Sequence, residues 1–210
     1  LNVYAGLAGG YYIQDPALLT SANGGTCTAN CLPANLQSLP EVIPIVIQDR
    51  MFDTTGQLFF PADSAGGILY SPNPEHPYWV PEFFGDTIVV NGKAWPFLDV
   101  QQKRYRFLFL NGSNARAYLL NMGPMFYVIG TDGGYLDAPV AVNKLLIMPG
   151  ERYEVIIDFA GFGAKNGKNI ILTNSAKAPY PAGIAPTAGL KQIMMFHVYP
   201  AVPVAPATVF

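Results

Sequence analysis

The chain has 210 residues, enough for one large all-β domain or two small ones. Half of them are hydrophobic and only 12% are charged, against about 25% in an ordinary soluble domain. Part of the apolar surface is therefore expected to face other protein rather than water. The net charge is −2 and the twelve Lys and Arg are scattered, which excludes a basic stripe and with it a nucleic-acid partner. No apolar run approaches the ~20 residues of a membrane-spanning helix, and no signal peptide is visible.

Few stretches carry a helical period. Runs rich in Val, Ile, Tyr and Phe alternate instead with Gly, Pro, Asn and Asp clusters. In chain order, strands are expected near 2–5, 9–14, 43–51, 57–60, 86–90, 94–100 and 103–112. Further strands are expected near 116–121, 125–131, 145–149, 152–159, 168–173 and 191–198. Asn91-Gly92, between IVV and KAW, is a two-residue hairpin signal. Asp132-Gly133-Gly134 reads as a second turn, between IGT and YLDAPV. Many short strands with frequent turns predict an all-β, two-sheet sandwich of Greek-key type.

Three segments interrupt the strands. Residues 15–42 form a long connection holding Cys27 and Cys31, four positions apart. Either a short disulfide or two free thiols fits that pair, and a disulfide over so small a loop adds little entropy. Residues 61–80 and 175–190 read as extended loops, and the charge-free tail from 200 reads as a linker. No internal repeat is evident.

Chemistry-bearing constellations are sparse. There are two histidines, His76 and His197. His76 lies between prolines in NPEHPYW and reads as a solvated loop residue. His197 alternates with Phe196 and Val198 on an expected strand, so it points away from both. Ser71, Ser113 and Ser175 lack a nucleophile elbow and a histidine partner. Gly6 to Gly10 lacks the spacing of a dinucleotide loop. Arg50 and Arg116 could each clamp an anion, but pairing with buried carboxylates or loop carbonyls is favoured. Glu151-Arg152 reads as structural too, and Asn111-Gly112-Ser113 is a formal glycosylation sequon.

Collinear motifs carry a resemblance. They are LAGGYYIQDP (7–16), IPIVIQDRMF (43–52), PEFFGDTIVVNGKAWPFLDV (81–100), RYRFLFLNGSNARAYLL (104–120), IGTDGGYLDAPV (129–140) and LLIMPGERYEVIIDF (145–159). In this order and spacing the chain resembles the middle domain of a three-domain multicopper oxidase, of the bacterial laccase and bilirubin oxidase branch. The likeness covers residues 1 to about 198. It implies one cupredoxin-like domain over 1–199 and a Pro-rich tail, 200–210, leading toward a third domain. The opening LNVYAGLAG follows a ligand motif of the preceding domain in that family, so the chain reads as a piece of a longer protein. Export of that parent to the periplasm or medium is a further implication, with which the cysteine pair is consistent. At the sequon the family has a tight, packed turn, so no sugar is expected on Asn111.

In such oxidases the copper ligands sit in the two flanking domains. A blue-copper centre needs two imidazoles and a thiolate, yet no histidine follows Cys27 or Cys31 within forty residues. The chain itself is expected to hold no copper and to be inactive alone. Its partners would be the first and third domains, which it would hold in mutual placement, and self-association through bare apolar faces is expected. An alternative makes it a stand-alone module that assembles with separate copper-bearing chains. The resemblance also suggests that Pro81, Glu82, Phe83 and Phe84, Ala115 and Arg116, and Ala178, Pro179 and Tyr180 line a substrate cleft. Their aromatic faces suit a phenolic or tetrapyrrole substrate, and the phenylalanines are equally suited to plain core packing.

Overall fold

The computed structural model describes residues 2–13, 42–60, 82–162 and 168–200. Cys27, Cys31, His76, Pro81 and the tail from 201 lie outside the described residues. Twelve strands occur among those described. They are β1 (Val42–Arg50), β2 (Thr87–Val90), β3 (Lys93–Ala94), β4 (Phe97–Gln101), β5 (Arg104–Asn111) and β6 (Tyr118–Asn121). The rest are β7 (Phe126–Thr131), β8 (Gly134–Val142), β9 (Leu145–Ile147), β10 (Arg152–Asp158), β11 (Lys168–Asn174) and β12 (Gln192–Tyr199). No helix occurs among the described residues.

The strands form two sheets, a seven-stranded one ordered β3-β2-β1-β5-β10-β7-β8 and a five-stranded one ordered β4-β12-β11-β6-β9. The period-two pattern explains why they stack. On β5, Phe107 and Phe109 are fully buried, while Leu108 between them faces the opposite side. Parallel pairing of β1 with β5 sets Ile45 beside Phe109 and Ile47 beside Asn111, so Ile45, Ile47, Phe107, Phe109 and Asn111 share one face. From the second sheet, Leu120, Ile147, Leu172, Phe196 and Val198 join the same core. Phe107 and Phe196 meet edge to face, 5.5 Å between centroids. That sandwich is the expected architecture.

Hairpins follow the turn chemistry. Asn91 and Gly92 both take positive φ, 48° and 81°, as a two-residue hairpin with matching twist requires. Past β3 the chain changes sheets. Trp95 at φ 40° donates its backbone N–H to Ile88 O and its indole N–H to Gly189 O. The single strand expected near 94–100 is therefore two short ones serving different sheets.

Four other expectations differ. Residues 2–6 are a turn, closed by Gly6 N to Val3 O and Leu7 N to Asn2 O. Of the strand expected near 9–14, the described residues 9–13 join no ladder and lie along the cavity on the outer face of the seven-stranded sheet. Around 57–60 there is one bridge, Phe52 with Leu58, because the Asp53 carboxylate accepts from Thr55 and Gln57 and tightens the turn. β8 was not expected as a strand. It is the sheet's edge, exposed throughout Gly134–Ala141, so it lacks alternation, and an edge tolerates Pro139.

Candidate functional site

Two of the candidate cleft segments, the one around Phe84 and the one around Arg116, are held by the end of β1. Asp49 alternates with Ile45 and Ile47 toward the interior and is fully buried. A bare carboxylate there would be costly, and two donors meet its Oδ2: Arg116 Nε at 2.8 Å and Gly85 N at 2.7 Å. Arg116, only 3% exposed, extends the contact by donating from Nη2 to Gly85 O at 2.7 Å. Its guanidinium lies over the half-buried Phe84 ring, 5.4 Å from the centroid. One carboxylate thereby binds the 82–86 segment and the turn at 113–117 to one strand end.

Gly85 is fixed by space as well as by hydrogen bonds. A Cβ there would lie 2.5 Å from Arg50 N and 2.6 Å from Arg50 O, backbone atoms that cannot move aside. Asp86 N donates to Arg50 O on the same approach. The adjacent turn is bound internally. Asp49 N donates to Ser113 Oγ at 3.1 Å, and Ser113 Oγ and Tyr118 OH share a hydrogen bond of 2.8 Å. Burial pushes the Tyr118 phenol well above its ordinary value, and the nearby Asp49 charge adds to the rise.

The candidate cleft residues do not share one role. Phe83, 3% exposed, packs edge to face on Tyr4 at 4.6 Å and stacks on Phe60 at 5.3 Å. It is a packing residue. Glu82 is exposed at φ 70°. Phe84 and Arg116 meet, and Ala115 precedes Arg116 in the chain. Ala178, Pro179 and Tyr180 belong to another turn, closed by reciprocal Ala178 and Ile184 backbone bonds and by Gly183 N to Pro179 O. Tyr180 is 41% exposed there. Pro81 lies outside the described residues.

Both arginines bind protein. Arg50 donates to Asp49 O and Val3 O, each at 3.2 Å, and lies over the Tyr4 ring. The Glu151 carboxylate accepts from Met148 N. The sequon asparagine Asn111 is fully buried and donates from Nδ2 to Arg116 O and Ile147 O, so a glycan on that nitrogen would break both bonds. The sequence marks Asp49-Arg50 and Asn114-x-Arg116 as structural pairs without saying that Asp49 and Arg116 are partners; Gly85 and Tyr118 it missed. The available signal was an acid followed by Arg inside an apolar strand, and a glycine between two phenylalanines and Asp86.

A copper centre does not fit the described residues. Among them no three His, Cys, Asp or Glu side chains gather at one point. His197 is partly exposed between buried Phe196 and Val198, and its Nδ1 lies 3.3 Å from Asp99 Oδ1.

A second feature is a cavity of about 680 Å³ against the outer face of the seven-stranded sheet. Pro44, Val46, Leu108 and Leu110 line it, with Ala8–Ile13 alongside. There Arg106 pairs with Glu154 and donates to Tyr12 OH and Tyr135 OH.

Comparison with known proteins fits this geometry. The family model described as multicopper oxidase matches residues 69–178. The chain is 41% identical to a laccase of Bacillus subtilis (strain 168), over 84% of its own length and 31% of that laccase. It is 40% identical to the multicopper oxidase LPR1 homolog 3 of Oryza sativa subsp. japonica, over 94% of the chain and 34% of that protein. Among solved structures, the McoA multicopper oxidase of Aquifex aeolicus superposes with a TM-score of 0.62 at 33% identity, covering 82% of this chain and 35% of that one. The chain thus spans about a third of the length of the curated relatives it matches.

Proposed function

The chain belongs to the multicopper oxidase family, and we propose that it is the copper-free middle domain of such an oxidase. In this reading it keeps the first and third cupredoxin domains in mutual placement and lends one wall to a substrate cleft. The parent would oxidise phenolic or tetrapyrrole compounds and reduce O2 to water, with every copper held by the flanking domains. The observation that carries the reading is the donor set. The described residues offer a single imidazole, already beside a carboxylate, whereas electron-transfer copper takes two imidazoles and a thiolate.

Exposed apolar side chains support the spacer role. Leu7 is 75% exposed, Tyr11 92%, Ile13 80%, Phe97 63% and Ile184 81%. Such surface is normally covered by a partner. In the cleft, the half-buried Phe84 forms the wall with the buried Arg116 guanidinium behind it, and Tyr180 offers a second aromatic face. The test is oxidation of a simple phenol by the purified chain supplied with copper and oxygen. No turnover is expected, and sustained turnover by the isolated chain would overturn the reading.

A further inference from the structure

We propose that the cavity on the outer face of the seven-stranded sheet binds a small, neutral, flat aromatic molecule, seated on Leu108 and Val46 and donating one N–H to Glu154. The strand register builds its floor. Pro44 pairs with Leu108, Leu108 with Glu154, Glu154 with Gly130, and Gly130 with Tyr135. One row of residues thus crosses β1, β5, β10, β7 and β8, and all five line the cavity. Val46 and Leu110, paired two positions further along, extend its apolar part.

The space comes from side chains that glycine leaves out. In the middle of the row, a Cβ on Gly130 would lie 3.1 Å from Gly134 O and 3.4 Å from Tyr135 Cδ1. Only a bare backbone there lets the Tyr135 ring lie so close to β7. The opposite wall is the 8–13 segment. Tyr12 is half-buried between Tyr11 and Ile13, which are 92% and 80% exposed, so Tyr12 is the one that turns inward. A Cβ on Gly9 or Gly10 would meet nothing within 4 Å. The volume of about 680 Å³ falls within the roughly 300–1,000 Å³ of small-molecule sites.

One guanidinium gathers the polar groups. Arg106, itself 7% exposed, donates from Nε to Glu154 and from Nη2 to Tyr12 OH at 2.9 Å and Tyr135 OH at 2.8 Å. Tyr12 also bonds to Tyr135, and burial above all pushes its phenol up, so it stays neutral.

Charge and shape then select the ligand. Arg106 and Glu154 offset each other, so an anion would meet the carboxylate and a cation the guanidinium. Either would also give up its water over an apolar floor. A neutral molecule avoids both costs. Glu154 accepts from Arg106 at Oε1 alone, and a carboxylate has capacity for further donors, which a ligand N–H can use. Aliphatic side chains below and tyrosine rings at the side suit a flat ring. Phe84 and Arg116 do not line this cavity, and nothing in the proposal rests on the middle-domain reading.

Indole is the probe, being flat, neutral and endowed with one N–H. The purified chain, labelled with nitrogen-15, is titrated with indole and with 1-methylindole, and backbone amide shifts are followed. Saturable shifts clustered at Val46, Leu108, Gly130 and Tyr12 are expected with indole. Losing the charge-assisted hydrogen bond should weaken 1-methylindole by at least about tenfold. Leu108→Trp, which fills the floor from the solvent side, should abolish the shifts. Absence of saturable shifts, shifts centred on Phe84 and Arg116 instead, or undiminished binding by a folded Leu108→Trp would overturn the site. Equal affinity for the two indoles would overturn the role of Glu154. Should Leu108→Trp fail to fold, the shift map and the 1-methylindole comparison on the wild type still decide.

Discussion

Asp49 and Arg116, 67 positions apart in the chain, meet as an ion pair of 2.8 Å with side-chain exposures of 0% and 4%. A pair so deep gains from its geometry and the added Gly85 bonds, while desolvation cancels much of the gain. Its removal is the informative perturbation, because the surviving partner is stranded. Arg116→Met leaves Asp49 buried and uncompensated, with an expected loss of ~3–5 kcal/mol. Urea unfolding of the purified variant checks it. A loss under ~1 kcal/mol would place the pair among those exposed enough to matter little.

Gly85→Ala tests the close approach. The added methyl would lie 2.5 Å from Arg50 N, and overpacking of this kind costs about 1–3 kcal/mol. For a chain of this size each kcal/mol lowers Tm by about 2–4 °C. Gly133→Ala is a control, since a Cβ there meets nothing within 4 Å. Thermal melts of the two variants should separate clearly.

Alkaline stability should follow Tyr118. Burial raises its phenol well above the ordinary value, so the folded state prefers the neutral form. Its contribution is complete below the unfolded value of about 10. It is lost progressively as pH rises from there toward the higher folded value. Tyr118→Phe should flatten that alkaline decline and, having lost the Ser113 bond, should be less stable at neutral pH. Denaturation midpoints from pH 7 upward read both effects.

Self-association should accompany the exposed apolar residues. Light scattering over a concentration series is expected to show species larger than a monomer, and Tyr11→Lys with Phe97→Lys should reduce them. Those two side chains are 92% and 63% exposed, so neither change disturbs the core. A monomer at every concentration would contradict the prediction.

The sequence was most legible where one physical rule acts alone. Alternation on Arg104–Asn111 marks the buried Phe107 and Phe109, and Asn91-Gly92 marks its hairpin through the positive φ both residues accept. It was least legible at edges and contacts distant in sequence. β8 faces solvent throughout most of its length, so burial wrote no pattern into it. Residues 9–13 look like a strand but find no partner edge. In the candidate site, aromatic type alone could not separate Phe83, locked against Tyr4 and Phe60, from Phe84 under Arg116. Asp49 carried no local sign of its partners, because Gly85 and Arg116 come from 36 and 67 positions away.

The central claim is that this chain is a scaffold whose coppers belong to its neighbours. Copper per chain, measured on the purified 210-residue protein after copper loading and exhaustive dialysis and with intact mass confirmed, tests it most directly. The account predicts a value near zero. About one tightly held copper per chain would contradict it and would assign a metal site to His76, His197 or the cysteines.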